Sequence, residues 1–403
     1  MNNNISDISE FCYGCGVCVK ACPKSCISLI ENNSGFYSPS VNVSDCIKCG
    51  ICKKVCSYYN KFCESNHKPT SFYGWSKDDN IRGWCSSGGI GFELARLYLE
   101  KGYKICAVKY DEKANRAIHY VATTESELMA SVGSKYLPSY TTKGFTKINV
   151  NEKWIVIGTP CQIASFRRYL KLINKENNFL LIDFFCHGTP SLKLWDKYIS
   201  ELTTSKGCPT FVSWRNKSHG WHDSWAISAD FNSFDICHGR RDLYQLKYDV
   251  TKQEPIHNYS SRWSKGDLFY DMFLGNFCLN DCCYKNCKFK GTSSAADIRL
   301  GDYWGSKFEE DNQGVSAIIA ITALGERSLT SLQTTCVIQN TQTEDIMRGQ
   351  LSHTLKKPWI RRILIKSFDS AHSLSWIHKN IIQRLYYTSL LPKRIISKIK
   401  SYK

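Results

Sequence analysis

The sequence lacks several features that would place it outside the ordinary soluble proteins. Its first residues, MNNNISDISE, show no basic region followed by an apolar stretch, so no secretory signal is visible. Its longest apolar run, around 315–324, is far too short to cross a bilayer. Acidic side chains nearly vanish after Lys356, where 12 Lys and Arg face the single acid Asp369 and supply +11 of the formal +17. No nucleic-acid recognition motif accompanies that charge. An acidic electron-carrier protein or an anionic membrane surface is therefore the expected partner of the tail, ahead of nucleic acid. What is left is an ordinary globular composition, 42% hydrophobic and 22% charged, over 403 residues, enough for two or three domains. Cysteine is the exception, with 21 residues. With no export signal, so many thiols suggest a reducing compartment, the cytoplasm, where they serve metals in place of disulfides.

Eight of the cysteines form two runs of the same spacing, C-x2-C-x2-C-x3-C: Cys12, Cys15, Cys18, Cys22 and Cys46, Cys49, Cys52, Cys56. In the bacterial two-cluster ferredoxin pattern, three cysteines of a run hold one [4Fe-4S] cluster and the fourth crosses to the other. The spacing thus predicts Cys12, Cys15, Cys18 and Cys56 around one cluster, and Cys46, Cys49, Cys52 and Cys22 around the second. Two-residue gaps turn successive thiolates inward around one soft object, and Gly14, Gly16 and Gly50 suit so tight a wrap. Zinc knots need only paired C-x2-C, and disulfides between thiols this close would be strained. Pro23 follows the first run, but Ser57 stands where a proline is expected after the second. Cys26 and Cys63 are left over here and read as packed or surface thiols.

Past a polar linker, the composition changes. Cys85-Ser-Ser-Gly-Gly precedes an apolar helical stripe over Phe92–Leu99, and amides at such a helix start suit a phosphate, although an ordinary cap looks the same. Gly133-Ser-Lys-Tyr begins another polar loop, and Thr124 with Glu127 forms a plausible capping box. WIVIGTP followed by CQIASFRRYLKLI, then FLLIDFFCHGTP followed by SLKLWDKYISEL, are two consecutive strand–turn–helix units. They argue for a helix-covered parallel sheet with its ligand edge at the strands' carboxyl ends, where Cys161 and Cys186 fall. Residues 211–248 read as a β-rich insertion with many aromatics. Cys278, Cys282, Cys283 and Cys287 form a further group that, by spacing, fits zinc, another iron–sulfur centre or packed thiols. The fold class expected is an α+β ferredoxin-like module (1–66) fused to an α/β domain with a mixed or parallel sheet and β-rich insertion (70–350), then a basic helical tail (351–403).

SSGG (86–89), GSKY (133–136), GTPCQ (158–162), CHGTPS (186–191), WRNK (214–217) with Gly220 and Trp221, and ADIRLGDYWG (296–305) come in an order that resembles the coenzyme F420 hydrogenase/dehydrogenase beta subunit family. The resemblance runs from the N-terminal module to about Thr322. It implies FAD held by the SSGG and GSKY stretches, at Ser87, Gly88, Gly89, Ser134, Lys135 and Tyr136, with Lys135 near flavin phosphate or ring. It also implies a third [4Fe-4S] cluster on Cys161, Cys186, Cys283 and Cys287. The last pair departs from the family's Arg-x-Ser-Cys-Tyr-x-Cys: an arginine is missing and the gap is one residue longer, so Cys282 competes with Cys283. Ferredoxin or another acidic redox protein is the expected electron partner, and a larger oxidoreductase complex a possible setting.

The function expected is flavin-dependent oxidoreduction, converting single electrons carried by clusters into a hydride-like reaction at FAD. The alternatives are a non-catalytic electron-transfer subunit, and a nucleophilic Cys161 activated by its helix N-terminus with His187 as base. No acid or base for a substrate can be named; His119, His219 and His222 are candidates that read first as structural.

Overall fold

The computed structural model describes residues 3–8, 11–61, 67–232, 258–284 and 287–390. Cys63, the second half of the expected β-rich insertion and the last residues of the basic tail lie outside these.

The repeat in the sequence becomes a repeat in space. Each cysteine run ends in a one-turn helix, Val17–Ala21 and Ile51–Val55, entered through Gly16 at φ 67° and Gly50 at φ 73° and left through Cys22 or Cys56 in extended backbone. Only glycine takes that left-handed entry cheaply. A hairpin of β1 (Ile27–Glu31) and β2 (Tyr37–Val41) lies between them. The module is pressed against the rest of the chain: a Cβ on Gly16 would meet Thr141 Oγ1 at 2.0 Å, and Ser165 Oγ accepts from the Ser57 amide at 3.1 Å.

The main body is built on β3 (Thr70–Ser76), β4 (Lys104–Asp111), β5 (Arg116–Ala122), β6 (Ser139–Tyr140), β7 (Trp154–Ile157) and β8 (Phe179–Phe184). A side sheet of β9 (Cys208–Ser213), β10 (Ala226–Asn232) and β11 (Tyr259–Arg262) follows, and β12 (Ile298–Asp302), β13 (Ser316–Ala320) and β14 (Cys336–Asn340) return to the main sheet. Its order is β14-β3-β13-β12-β8-β7-β4-β5-β6. The sheet is mixed: β12, β8, β7 and β4 run parallel at the centre, while β13, β3 and β14 on one side and β5 on the other pair antiparallel. Parallel pairing therefore extends beyond the two units read from sequence, to β12 on one side and β4 on the other, and recurs between β5 and β6. The short turn 111–116 can join β4 to β5 only as a hairpin.

The central strands are near-continuous apolar runs because both faces are covered, with Leu180, Leu181, Ile155 and Val156 fully buried. The helices Pro160–Leu172 on one face and Ile90–Glu100 on the other do much of the covering, while Leu192–Lys206 leads on to the side sheet. The Pro160–Leu172 and Leu192–Lys206 helices follow β7 and β8 directly. The first starts with Pro160 at its first turn, where a missing N–H costs nothing, and the Gln162 side chain accepts from the Thr159 amide at 2.8 Å. Their starts therefore stand at the carboxyl ends of β7 and β8. No described helix is long and apolar enough to cross a membrane.

One fully buried ion pair holds the central strands together. Arg299 on β12 donates through Nε and Nη2 to Asp183 on β8, both at 2.8 Å, and its Nη1 reaches Gly291 O at 2.6 Å. Removing one partner strands a buried charge. Asp183→Ala is expected to lower stability by about 3–5 kcal/mol, read as a reduced urea midpoint of the iron-loaded protein.

Candidate functional site

The two thiol sets expected from the crossed pattern line two separate hollows. Cys12, Cys15, Cys18 and Cys56 line one hollow, together with Tyr13 and Ser165. Cys22, Cys46, Cys49 and Cys52 line the other. Each set takes three thiols from one run and one from the other, because the helix that closes each run points its final cysteine toward the opposite run. Among the described residues no three His, Cys, Asp or Glu side chains gather closely enough to hold a single metal ion. The four thiols of each set instead ring a space, the geometry a cluster body needs. Sulfur acceptors already have donors, the Gly14 amide to Cys12 Sγ at 3.2 Å and Asn4 Nδ2 to Cys46 Sγ at 3.5 Å. The first hollow is internal and the second faces the surface, where Cys49 is exposed.

A third thiol group sits against the internal hollow. Cys161, at the start of the Pro160–Leu172 helix, has Cys15, Cys186 and Cys283 as thiol neighbours, and Cys186 has Cys287. Two loops are zipped together to achieve this: the Asn280 amide donates to Thr189 O at 2.8 Å, the Ser191 amide to Cys278 O at 2.9 Å, and Pro190 bridges Leu279. Lys290 Nζ fastens the strand end by donating to the carbonyls of Cys186 and His187 at 2.8 and 2.7 Å. The choice between the adjacent cysteines is geometric. Cys283 neighbours Cys186 and Cys287 and accepts from the Thr189 amide at 3.4 Å, whereas the Cys282 thiol donates to Phe11 O at 2.7 Å.

Burial holds the Cys161 thiol well above its usual range, outweighing the Thr159 hydroxyl beside it. This corrects the expectation of an activated nucleophile, since the helix start cannot offset removal from water. His187 does not serve it as a base either: burial lowers the imidazole to about 4, and its neighbours are Phe273 and Asn276.

Beside the third group opens a cavity of about 490 Å³ at the carboxyl ends of β7, β8 and β12. Gly158, Thr159 and Gln162, Phe185, Cys186 and His187, and Gly301, Asp302 and Trp304 reach it from those strand ends. Ser86, Ser87, Gly89, Ser134, Lys135 and Tyr136 also line it, so five of the six expected flavin residues face it. Gly88 does not. It sits behind, where a Cβ would strike Gly74 O at 2.4 Å, and its amide donates to Ser316 Oγ at 3.0 Å. Its glycine is required by close packing on β3 and β13.

Lys135 also differs from expectation. Its ammonium is engaged by the carbonyls of Ser131, Val132 and Gly133 at 2.8, 2.8 and 3.0 Å, and burial draws it down to about 7. It braces its own loop and offers no free cation.

The residue that ties the motifs together is Arg215, which the sequence showed only as part of WRNK. Its Nη1 donates to Asp302 Oδ2 at 2.8 Å and Tyr136 OH at 3.2 Å, Nη2 to Ser86 O at 3.3 Å and Nε to Ser224 Oγ at 2.9 Å. The guanidinium lies over the rings of Trp225 and Trp304, 4.8 and 5.6 Å from their centroids. One side chain thus joins the SSGG, GSKY, WRNK and GDYW stretches, and only the co-occurrence of an arginine and an aspartate in two of them hinted at it. Lys217 works similarly, donating to Arg82 O and Ser87 O at 2.7 Å each.

The three histidine candidates lie away from the cavity. His119 is buried against Phe145 and meets Ile157 O at 3.2 Å. His219 meets Ser218 Oγ at 3.0 Å, and His222 meets Phe308 O at 3.0 Å. None lines the cavity; His187 does.

An iron–sulfur module joined to a mixed α/β domain, with thiols at the edge of a strand-end cavity, defines part of a redox enzyme. Residues 11–60 match the 4Fe-4S dicluster domain. Two models describe the coenzyme F420 hydrogenase/dehydrogenase beta subunit family, one for its N-terminal part and one for its C-terminal part; residues 71–143 match the first and 151–346 the second. The chain belongs to this family and carries iron–sulfur clusters for electron transfer. It is also similar to a chain of the F420-reducing [NiFe] hydrogenase complex from Methanosarcina barkeri, solved as a xenon derivative. That similarity has a TM-score of 0.40 at 15% identity, over 81% of this chain and 94% of that one. A search of the curated proteins finds no match.

Proposed function

We propose that this chain is a flavin-dependent iron–sulfur oxidoreductase, taking electrons from ferredoxin or a partner protein and delivering them to a hydride-accepting substrate, the deazaflavin coenzyme or another acceptor. One observation carries the reading: the thiol groups lie in series from the exposed Cys49 through the internal hollow to Cys161 and Cys186, and Cys186 itself lines the cavity. Three [4Fe-4S] clusters fit these three sets. FAD supplies the conversion between single electrons and a transferred pair.

The chain's own residues account for the rest. Gly89 opens the Ile90–Glu100 helix, and Thr159 opens the Pro160–Leu172 helix. Ile90 and Gly91 of the first start line the cavity, and the positive end of that helix suits the diphosphate of a dinucleotide, whereas the second start has its Thr159 amide bonded to Gln162 and no N–H at Pro160. Trp225, Trp304, Phe273 and Leu351 give the remaining wall an apolar face for a flat ring. Tyr13 stands between the internal hollow, which it lines with Ser165, and the third group, whose Cys161, Cys283 and Cys287 are its neighbours.

Anaerobic preparation is expected to yield about twelve irons per chain with one FAD, and reduced ferredoxin is expected to bleach the flavin absorbance. Absence of flavin under every reconstitution condition would overturn the proposal.

A second reading, an electron-transfer subunit without its own turnover, draws on the described part of the basic segment. Trp359, Ile363 and Trp376 are exposed there among Lys356, Arg362, Lys366 and Lys379. Apolar anchors set in positive charge suit an acidic redox protein. A tight partner that co-purifies, combined with no turnover by the isolated chain, decides for it.

A further inference from the structure

The surface-facing hollow is ringed by five thiols. Besides Cys22, Cys46, Cys49 and Cys52 it is lined by Cys26, which belongs to neither run and is 8% exposed. Cys26 Sγ lies 3.4 Å from Cys22 Sγ. The four irons of a cubane direct their outer bonds to separate corners, so two sulfurs this close cannot serve two irons. They compete for one corner.

The backbone explains why both reach it. Cys22 ends the Val17–Ala21 helix and Cys26 leads into β1, where its carbonyl accepts from the Asn42 amide at 2.8 Å. Pro23, Lys24 and Ser25 close the gap in a tight turn, with the Ser25 amide on Cys22 O at 3.2 Å and Ser25 at φ 49°. Two well-anchored positions therefore aim at the same point. The second run supplies the comparison. Four residues after its final Cys56 stands Asn60, whose Nδ2 donates to the carbonyls of Lys53 and Cys56 at 2.7 and 2.8 Å. That position closes the turn in one repeat and carries a spare thiol in the other.

We infer that Cys26 is a reserve ligand of the outer cluster, interchangeable with Cys22. The inference rests on the cluster reading above. In the exchange the Fe–Sγ bond to Cys22 breaks, that to Cys26 forms, and the Cys26 thiol proton passes to Cys22 across their contact. Iron count, charge and oxidation state stay the same. The arrangement keeps the cluster intact when the half-exposed Cys22, beside the exposed Pro23 and Lys24, is chemically modified.

The test uses the full chain prepared anaerobically, as wild type, Cys22→Ala, Cys22→Ala/Cys26→Ala and Cys56→Ala. Readouts are iron and acid-labile sulfide per chain and mass-spectrometric mapping of alkylated thiols. Cys22→Ala is expected to keep the wild-type iron count with Cys26 newly protected from alkylation. The double variant and Cys56→Ala, which has Asn60 at the position equivalent to Cys26, are each expected to lose from about one to about four irons. If Cys22→Ala falls to the level of the double variant, or yields no folded protein where Cys56→Ala does, this inference alone is overturned. A wild-type chain that takes up no iron overturns the cluster reading and this with it.

Discussion

Replacing Cys186 by alanine is expected to remove one cluster, about four irons, and to stop reduced ferredoxin from bleaching the flavin, while FAD stays bound. Of the third thiol group, Cys186 is the member that lines the cavity, and it has Cys287 as a thiol neighbour. With it gone, the thiols of the N-terminal module still form their hollows, so their iron is retained and electrons still enter. Delivery should drop to background because the step nearest the cavity is missing. Iron analysis with stopped-flow absorbance reads both quantities on one sample. A Cys186→Ala protein that keeps all its iron would show that the third group is packed thiols, leaving two clusters. Cys282→Ala is the internal control. Its thiol is committed to Phe11 O, so this variant is expected to keep the full iron count.

Arg215→Ala should affect both stability and flavin binding. The arginine side chain is 1% exposed and its ion-pair partner Asp302 is 16% exposed. Truncation leaves that carboxylate with Trp221 Nε1, at 3.0 Å, in place of a cation. Breaking such a pair costs about 3–5 kcal/mol. It also releases Tyr136 and the Ser86 carbonyl, which belong to the two loops proposed to hold FAD. The expected result is a lower urea midpoint together with loss of bound flavin, measured as FAD released by acid. Arg215→Lys separates the two effects. It keeps the charge near Asp302 but not the planar fork or the stacking on Trp225 and Trp304, so more stability than flavin should be recovered. Flavin content unchanged in Arg215→Ala would place FAD away from this cavity.

Much of the redox apparatus was legible because it is encoded over short spans. A two-residue gap between cysteines fixes how successive thiols turn, and Gly16 and Gly50 adopt the left-handed entry that the spacing asks for. The strand–turn–helix units at 154–172 and 179–206 were likewise readable from apolar runs and a proline-started helix, and they put Cys161 and Cys186 on one edge. Ser87, Ser134 and Tyr136, expected by motif to hold flavin, line the cavity. Lys135 and Gly88 show the limit of that approach. The lysine is caged by its own loop's carbonyls, and the glycine answers to the backbone of β3 behind it.

By itself, then, the sequence determined which cysteines belong together within the first 56 residues, how the two runs cross, and where the parallel core lies. These depend on backbone geometry over a few residues, which spacing and residue type encode directly. The tertiary structure alone decided the antiparallel flanks of the sheet, Cys283 over Cys282 beside Cys186, Arg215 as the tie between four motifs, and Cys26 beside Cys22. Those outcomes depend on which distant segments pack against one another and on which side chains lose water there, and no local pattern carries that information.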